Sequence, residues 1–397
     1  MTEYVRLGDV ATINPPKKEV ANLDDDTIVG FLPMDAVSNG GAIERIDTRK
    51  YAEVKKGFVY FRDGDVLFAK ITPCMENGKG AVVSGMPDGI GFGSTEFHVV
   101  RPNEEIIYGQ YIHYFLKNPA LRKVLENEMT GSAGQKRVSK DTLKELAFPL
   151  PSLEEQKRIA AALDKMSSVI AKRKRQIALL DEAAKSLFVE MFGDPVENPM
   201  GWEIVELRAL GDGKDAIKCG PFGTQLSKSE YRTEGVPVWG IPEINSSFSK
   251  MPSDFVTPEK AEILDSYSVI PNDIVMSRKG TIGKCSLYPK NLSKGIIHSD
   301  VLRIRPNSGI VNSYFLKYQL HISQYIASQI EGVSNGAIMK GINVTKLKQI
   351  LIHLPPLDLQ NLFAARIEAL EAQRASCERG LKQMETAFVA MMQEYFE

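Results

Sequence analysis

The chain is written twice. Val5-Arg-Leu7 reappears as Val205-Glu-Leu207, and Gly64-Asp65-Val-Leu-Phe-Ala-Lys70 has a counterpart in Asn272-Asp273-Ile-Val-Met-Ser-Arg278. Ser94–Asn103 (STEFHVVRPN) matches His298–Asn307 (HSDVLRIRPN), and Leu150-Pro-Ser-Leu-Glu-Glu-Gln156 matches Leu354-Pro-Pro-Leu-Asp-Leu-Gln360. The offsets are 200, 208, 204 and 204, in order. Such a period is far beyond that of solenoid repeats, so a domain has been duplicated. With 397 residues, each copy is large enough to bury its own core.

Each copy divides into two parts. The first is about 150 residues of mixed character. Short β-rich runs such as Gly57–Phe61, Asp65–Phe68 and Phe97–Val100 are separated by Gly, Pro and Asn, the pattern of strands and turns. Helical stretches follow around Gln110–Leu125 and Ser313–Ile330. The fold class predicted is therefore α/β in the mixed α+β sense.

The second part is a long helix. Ile159, Leu163, Met166, Ile170, Arg173, Ile177, Leu180, Ala184, Leu187 and Met191 alternate in steps of four and three. The second copy gives Phe363, Ile367, Leu370, Arg374, Cys377, Leu381, Met384, Phe388, Met391 and Tyr395 with the same steps. Both are heptad seams. Pro151 and Pro355 stand just before the helices, where proline is tolerated, and Gly193-Asp-Pro195 stops the first. A helix over Leu153–Phe192 would be roughly 60 Å long at about 1.5 Å per residue. Two equal helices with narrow apolar stripes need partners, and the economical partner is each other. Antiparallel pairing as a coiled coil would relate the halves by an approximate two-fold axis. The single arginine in each seam, Arg173 or Arg374, is expected to lie along the seam with its head in water. The boundaries expected are 1–151 and 194–355 for the globular parts, and 152–193 and 356–397 for the helices.

Signatures of chemistry are weak. Asn14-Pro-Pro-Lys17 resembles an amino-methyltransferase motif but has lysine where an aromatic residue would grip a flipped base. Gly280-Thr-Ile-Gly283-Lys284-Cys285 resembles a phosphate loop but has two residues between its glycines rather than four, and cysteine in place of Ser or Thr. The five histidines are isolated, and the four cysteines form no C-x-x-C pair. No metal site and no catalytic residue are expected. Scattered cysteines fit a reducing cytoplasm, and no apolar run approaches a membrane span.

With 49 Lys and Arg against 50 Asp and Glu, any nucleic-acid contact must use local patches. Arg49–Arg62 and Arg278–Lys290 each carry a net +4, and Gly134–Lys144 carries +3. They are rich in Gly, Ser and Thr, which let backbone amides approach phosphates. A charged loop is ordinarily a solvated loop. Recurrence in both halves shifts the reading toward DNA.

At this point the chain resembles the specificity subunit of a type I restriction-modification enzyme, over its whole length. The resemblance rests on the two Pro-x-Leu-x-x-Gln openings before long helices and on the junction Met191-Phe-Gly-Asp-Pro195 with Asn198-Pro-Met-Gly-Trp202. It rests also on Lys70-Ile-Thr-Pro-Cys-Met-Glu-Asn-Gly-Lys79, Gly220-Pro-Phe-Gly-Thr-Gln225 and Ser277-Arg-Lys-Gly-Thr-Ile-Gly-Lys284. The second opening departs from the pattern, with Leu359 and Asn361 in place of charged neighbours.

The resemblance implies that each globular part is a target recognition domain reading one half of a bipartite sequence in double-stranded DNA. It implies that the helices set the gap and dock two modification subunits, with motor-nuclease subunits joining for restriction. It implies no catalysis and no cofactor on this chain; methyl donor, ATP and magnesium belong to the partners. Base-reading candidates are Lys70, Lys79, Gln225, Lys228, Arg278, Lys279 and Lys284. Phosphate-contact candidates are Arg62, Lys136, Arg137, Lys218, Arg232 and Lys340. Three other readings remain: a modification-only or other phage-defence system without a motor subunit, a nuclease or methyltransferase in its own right, and a coiled-coil adaptor with no DNA role.

Overall fold

The structure is a computed structural model and describes residues 3–132, 134–332, 334–335 and 341–396. The chain forms two compact units, residues 1–175 with 378–397 and residues 176–377. Each unit contains one globular part and a stretch of both long helices, α1 (Leu153–Phe192) and α2 (Leu357–Phe396).

In the first unit, strands Ala11–Ile13, Phe97–Pro102, Val66–Ala69 and Gly80–Val82 form an antiparallel sheet in that order. A second sheet has the order Asp47–Lys50, Ile28–Leu32, Ile90–Gly93 and Val59–Arg62, its middle pair parallel. Strand Val66–Ala69 is buried throughout, and its side chains divide by the period of two. Val66, Phe68 and Val100 join Tyr111, Ile112 and Phe115 of the helix Gly109–Lys117. Leu67, Ala69 and Val99 join Leu32 and Phe61 of the second sheet. The first sheet is thus the middle layer, which explains why Val66–Ala69 reads as an unbroken apolar run.

The second unit repeats this plan. Its sheets run Ile217–Cys219, Val301–Ile304, Ile274–Ser277, Cys285–Leu287 and Phe255–Val256, Val236–Trp239, Gly295–Ile297, Ser268–Val269, again with one parallel pair. Ile274, Met276 and Leu302 face helix Ser313–Ile322, whereas Val275 and Val301 face Trp239 and Ile297.

Two polar fasteners recur in the repeat. Arg101 grips Asp65 through Nε and a terminal nitrogen, both at 2.8 Å, and Arg305 grips Asp273 at 2.9 and 2.8 Å. Each aspartate also accepts a backbone N–H three residues back, from Arg62 or Ile270. Buried carboxylates need this: paired and hydrogen-bonded, they are tolerated. In the first unit Glu19 adds a second acid to Arg101, and its carboxyl is held below the usual range despite partial desolvation by hydrogen bonds from Tyr60 and Arg101.

The second fastener is the glutamine of each Pro-x-Leu-x-x-Gln opening. Gln156 is fully buried. Its Oε1 accepts the Tyr108 N–H at 2.8 Å, and its Nε2 donates to the carbonyls of Ile106 and Pro151. Gln360 does the same with Asn312, Ile310 and Pro355. Tyr108 and Asn312 are the N-cap residues of the helices behind the middle sheet, so one amide ties the start of a long helix to the start of a core helix. The short pairings of Glu3–Arg6 with Ala147–Leu150 and of Glu203–Glu206 with Leu351–Leu354 deliver the chain to that point.

The long helices pack antiparallel. In the second unit Phe188 of α1 meets Phe363 of α2 with ring centroids 5.6 Å apart, while Asp181 pairs with Arg374 at 2.9 Å. In the first unit Lys174 pairs with Glu385 at 2.8 Å. Of the predicted seam, Ile159, Leu163, Phe363 and Ile367 are buried; Met166, Ile170, Ile177, Leu180, Leu187, Leu370, Leu381, Met384 and Phe388 are half-buried. Partial cover is what a pair of helices can give a narrow stripe. Arg374 differs from the sequence expectation in having a carboxylate across the seam, not water alone, around its head. At the helix ends the buried stripe broadens. Phe188 and Phe192 enter the second core beside Phe315, and Met392 and Phe396 enter the first beside Tyr111. The heptad pattern did not single these out because they lie one residue beyond it.

Two outcomes are expected. Gln156→Leu leaves three backbone groups without their partner and destabilises the first unit by about 2–4 kcal/mol, with Gln360→Leu acting likewise on the second. Denaturant midpoints equal to wild type would contradict this. His113 is buried, and burial holds its imidazole down at about 3, against an ordinary 6.5. The unfolded chain therefore takes up this proton first, so its contribution to stability is complete above pH 6.5 and is lost as pH falls toward 3. At pH 5 the loss is about 2 kcal/mol. His113→Gln flattens that side of the stability profile; an unchanged acid limb refutes the assignment.

Candidate nucleic-acid interface

In the first unit the middle-sheet strand Val66–Ala69 hands over to Lys70. The Lys70 N–H donates to the Glu96 carbonyl, and its own carbonyl accepts from Val138. The Thr72 N–H donates to the Lys136 carbonyl. Three segments, 70–79, 94–96 and 130–138, are thereby laced together, with a cis peptide at Thr72-Pro73. This brings Lys70 and Arg137 around one carboxylate, Glu96. Arg137 grips it through Nε at 2.9 Å and a terminal nitrogen at 2.8 Å, which holds the Glu96 carboxyl below its usual range. Lys136 is exposed, whereas Lys79 is half-buried and donates to the Met34 carbonyl at 3.0 Å. Arg62 is not part of this group: it is exposed at the end of Val59–Arg62 in the other sheet.

In the second unit Arg278 leaves strand Ile274–Ser277 in the same way. Its N–H donates to the Asp300 carbonyl and its carbonyl accepts from Ile342. The guanidinium donates from Nε to Ile342 at 3.2 Å and lies 5.0 Å from the centroid of the Phe222 ring, which is itself exposed. Phe222 is brought there by Gly220, where an added Cβ would sit 2.3 Å from the His298 carbonyl oxygen. Only glycine permits that approach. Gln225 closes the same turn by accepting the Phe222 N–H at 3.1 Å. Lys279 pairs with Asp300 at 2.6 Å, and Lys284 donates to the Asn245 carbonyl at 3.2 Å.

Other candidates stand apart. Lys218 pairs with Asp215 and lies 4.5 Å from the Tyr267 ring centroid. Lys228 is exposed, and Arg232 donates to the carbonyls of Ser229 and Tyr231. Lys340 lies outside the described residues.

Sequence reasoning missed Glu96, Asp300 and Phe222. The acids were visible as equivalent positions of the repeated Arg-Pro-Asn segments, but nothing in a linear pattern says they face cations. The two resemblances set aside earlier have structural explanations. Asn14 has φ 56°, and its side chain accepts the Val99 N–H and lies 3.0 Å from His98 Nδ1. The Gly280–Lys284 segment leads into strand Cys285–Leu287, not into a helix that could present its N-terminus to phosphate. Among the described residues no group of three or more His, Cys, Asp or Glu is placed to hold a metal, and no helix is long and apolar enough to cross a membrane.

Comparison with known proteins bears on this arrangement. The EcoAI specificity subunit of a type I restriction enzyme from Escherichia coli is 37% identical over 206 residues, 51% of this chain and 34% of that protein. The stretch shared with that relative is thus about a third of its length. The MjaVIII specificity subunit from Methanocaldococcus jannaschii is 24% identical over 93% of this chain and 86% of its own. In fold, the chain is similar to the crystal structure of a type I restriction-modification S subunit from M. genitalium, with a TM-score of 0.60 and 13% identity, covering 100% of this chain and 96% of that one. The family model for the type I restriction modification DNA specificity domain matches twice, over residues 2–181 and 199–385. Both halves of the repeat thus fall within one model, and the chain belongs to the family of type I restriction modification DNA specificity domains.

Proposed function

We propose that this chain chooses the DNA sequence on which a type I restriction-modification enzyme acts. Each globular part reads one half of a bipartite target in double-stranded DNA. The paired helices set the unspecified gap and dock two modification subunits; motor-nuclease subunits join them for restriction. The chain is cytoplasmic and supplies no reacting group. Methyl donor, ATP and magnesium are held by the partner subunits.

The observation that carries this reading is the repeated hand-over from the middle sheet to a cationic loop. Lys70 and Arg278 leave equivalent strands, use their backbone in the same way, and stand among further cations beside an equivalent acid. One basic loop is unremarkable on a surface. Two at equivalent positions of a duplicated DNA-specificity domain have a common purpose. Lys and Arg in such loops supply counterion release and base-edge contacts, while small neighbours let the backbone come close.

The test is methylation mapping of a cell's genome with and without this gene, the cognate modification subunit being present in both. One split motif with a fixed gap is expected only when the gene is present. An unchanged methylome with the protein expressed and assembled with that subunit refutes the proposal. Arg278→Ala in the same assay is expected to relax or abolish one half of the motif, since the lost contact is on the order of 1–3 kcal/mol. Equal damage to both halves would remove Arg278 from base reading.

A further inference from the structure

A carboxylate on a phosphate-facing surface lowers DNA affinity, because it repels the backbone and retains counterions. Both halves nevertheless place one among their cations, Glu96 in the first and Asp300 in the second, at equivalent positions of the repeat. Neither is buried beyond reach; the side chains are 28% and 30% exposed. Their cations differ in kind and origin. Glu96 holds a guanidinium that arrives from the loop after the core helices. Asp300 holds an ammonium from the residue next to Arg278.

We infer that Glu96 and Asp300 are specificity-determining positioning residues, each aiming one cation, Arg137 or Lys279, at a base edge of its half-site. This rests on the DNA-reading function proposed above. The stereochemistry supports it. A guanidinium has five N–H donors. In Arg137, Nε and one terminal nitrogen face Glu96, and the other terminal nitrogen donates to the Gln135 carbonyl at 3.0 Å. The plane of the fork is fixed on both sides, and its remaining donors have a set direction. A fork so held suits paired acceptors, as on guanine. The ammonium of Lys279 has three donors on a flexible stem, and Asp300 at 2.6 Å restricts where they point. Each half thus combines the same kind of anchor with a different reading head, which is what two different half-sequences require. The acid repels phosphate as well, so the cation beside it is directed to the groove by exclusion.

The experiment enriches a random-sequence duplex library on the full chain assembled with its modification subunits. Wild type, Glu96→Gln and Asp300→Asn are compared. The expected result is a split motif for wild type, a change on the order of tenfold in base preference within one half for Glu96→Gln, and a change confined to the other half for Asp300→Asn. Arg137→Gln must alter the same positions as Glu96→Gln. Since Glu96 and Arg137 are both partly exposed, neither change buries a lone charge, and thermal unfolding of each variant checks that the fold is retained. Variants that enrich the wild-type motif, with or without a uniform gain or loss of affinity, overturn the inference and leave the proposed function standing. A wild type that enriches no motif overturns both.

Discussion

One buried side-chain amide at the start of each long helix holds the architecture together. A helix of 40 residues is a stiff object, and the direction it holds depends on how firmly its end is fixed. Gln156 and Gln360 fix it with three hydrogen bonds each, to two carbonyls and one N–H, in sites closed to water. The aromatic residues of the terminal turns, Phe188, Phe192 and Phe396, are buried in the same two cores. Without the amide, the prolines at 151 and 355 would mark only a bend. With it, the same position is a fixed joint, and any displacement of the helix is felt by the core helix that begins at Tyr108 or Asn312.

Charge follows a comparable division of labour. The Asp65–Arg101 and Asp273–Arg305 forks have buried carboxylates, although Arg305 itself is half-buried; they hold the middle sheet to the turn before it. The Glu96–Arg137 and Asp300–Lys279 pairs are of the same chemical kind but lie within reach of solvent. A buried pair is fixed by desolvation, since separating it would strand a charge in the core. An exposed pair is held by geometry and can exchange one partner for another. Near-zero net charge over the chain does not prevent local grouping of cations: Lys70 with Arg137, and Arg278 with Lys279, are gathered by loop lacing, not by composition.

Much of this was legible in the residues. The duplication, the mixed α/β parts, the heptad seams and the Pro-x-Leu-x-x-Gln openings all follow from local patterns with a period or a fixed spacing. Phe188 and Phe192 escaped because heptad reading assumes that one stripe serves the whole helix, whereas the ends pack against a globular core. The candidate interface was legible only in part. Lys70 and Arg278 sit at strand ends, which a β-pattern marks, and they come out in equivalent places. Glu96 and Asp300 escaped because side-chain pairing between segments far apart in sequence has no linear signal; Arg137 meets Glu96 across 41 residues. Lys218 and Arg62 carry charge as expected, yet strand alternation and sheet membership set them apart from those groups.

The first unit completes its core with Met392 and Phe396, which pack on Tyr111 and its neighbours. A ribosome delivers those residues long after the sheets they cover. At about 5–20 residues per second, the face of Tyr111 and Phe115 waits for tens of seconds without its lid. The second unit waits too, for Phe363 and Ile367, but has its pieces together by residue 377. Closure therefore runs against the order of synthesis: the half made first is closed after the half made second.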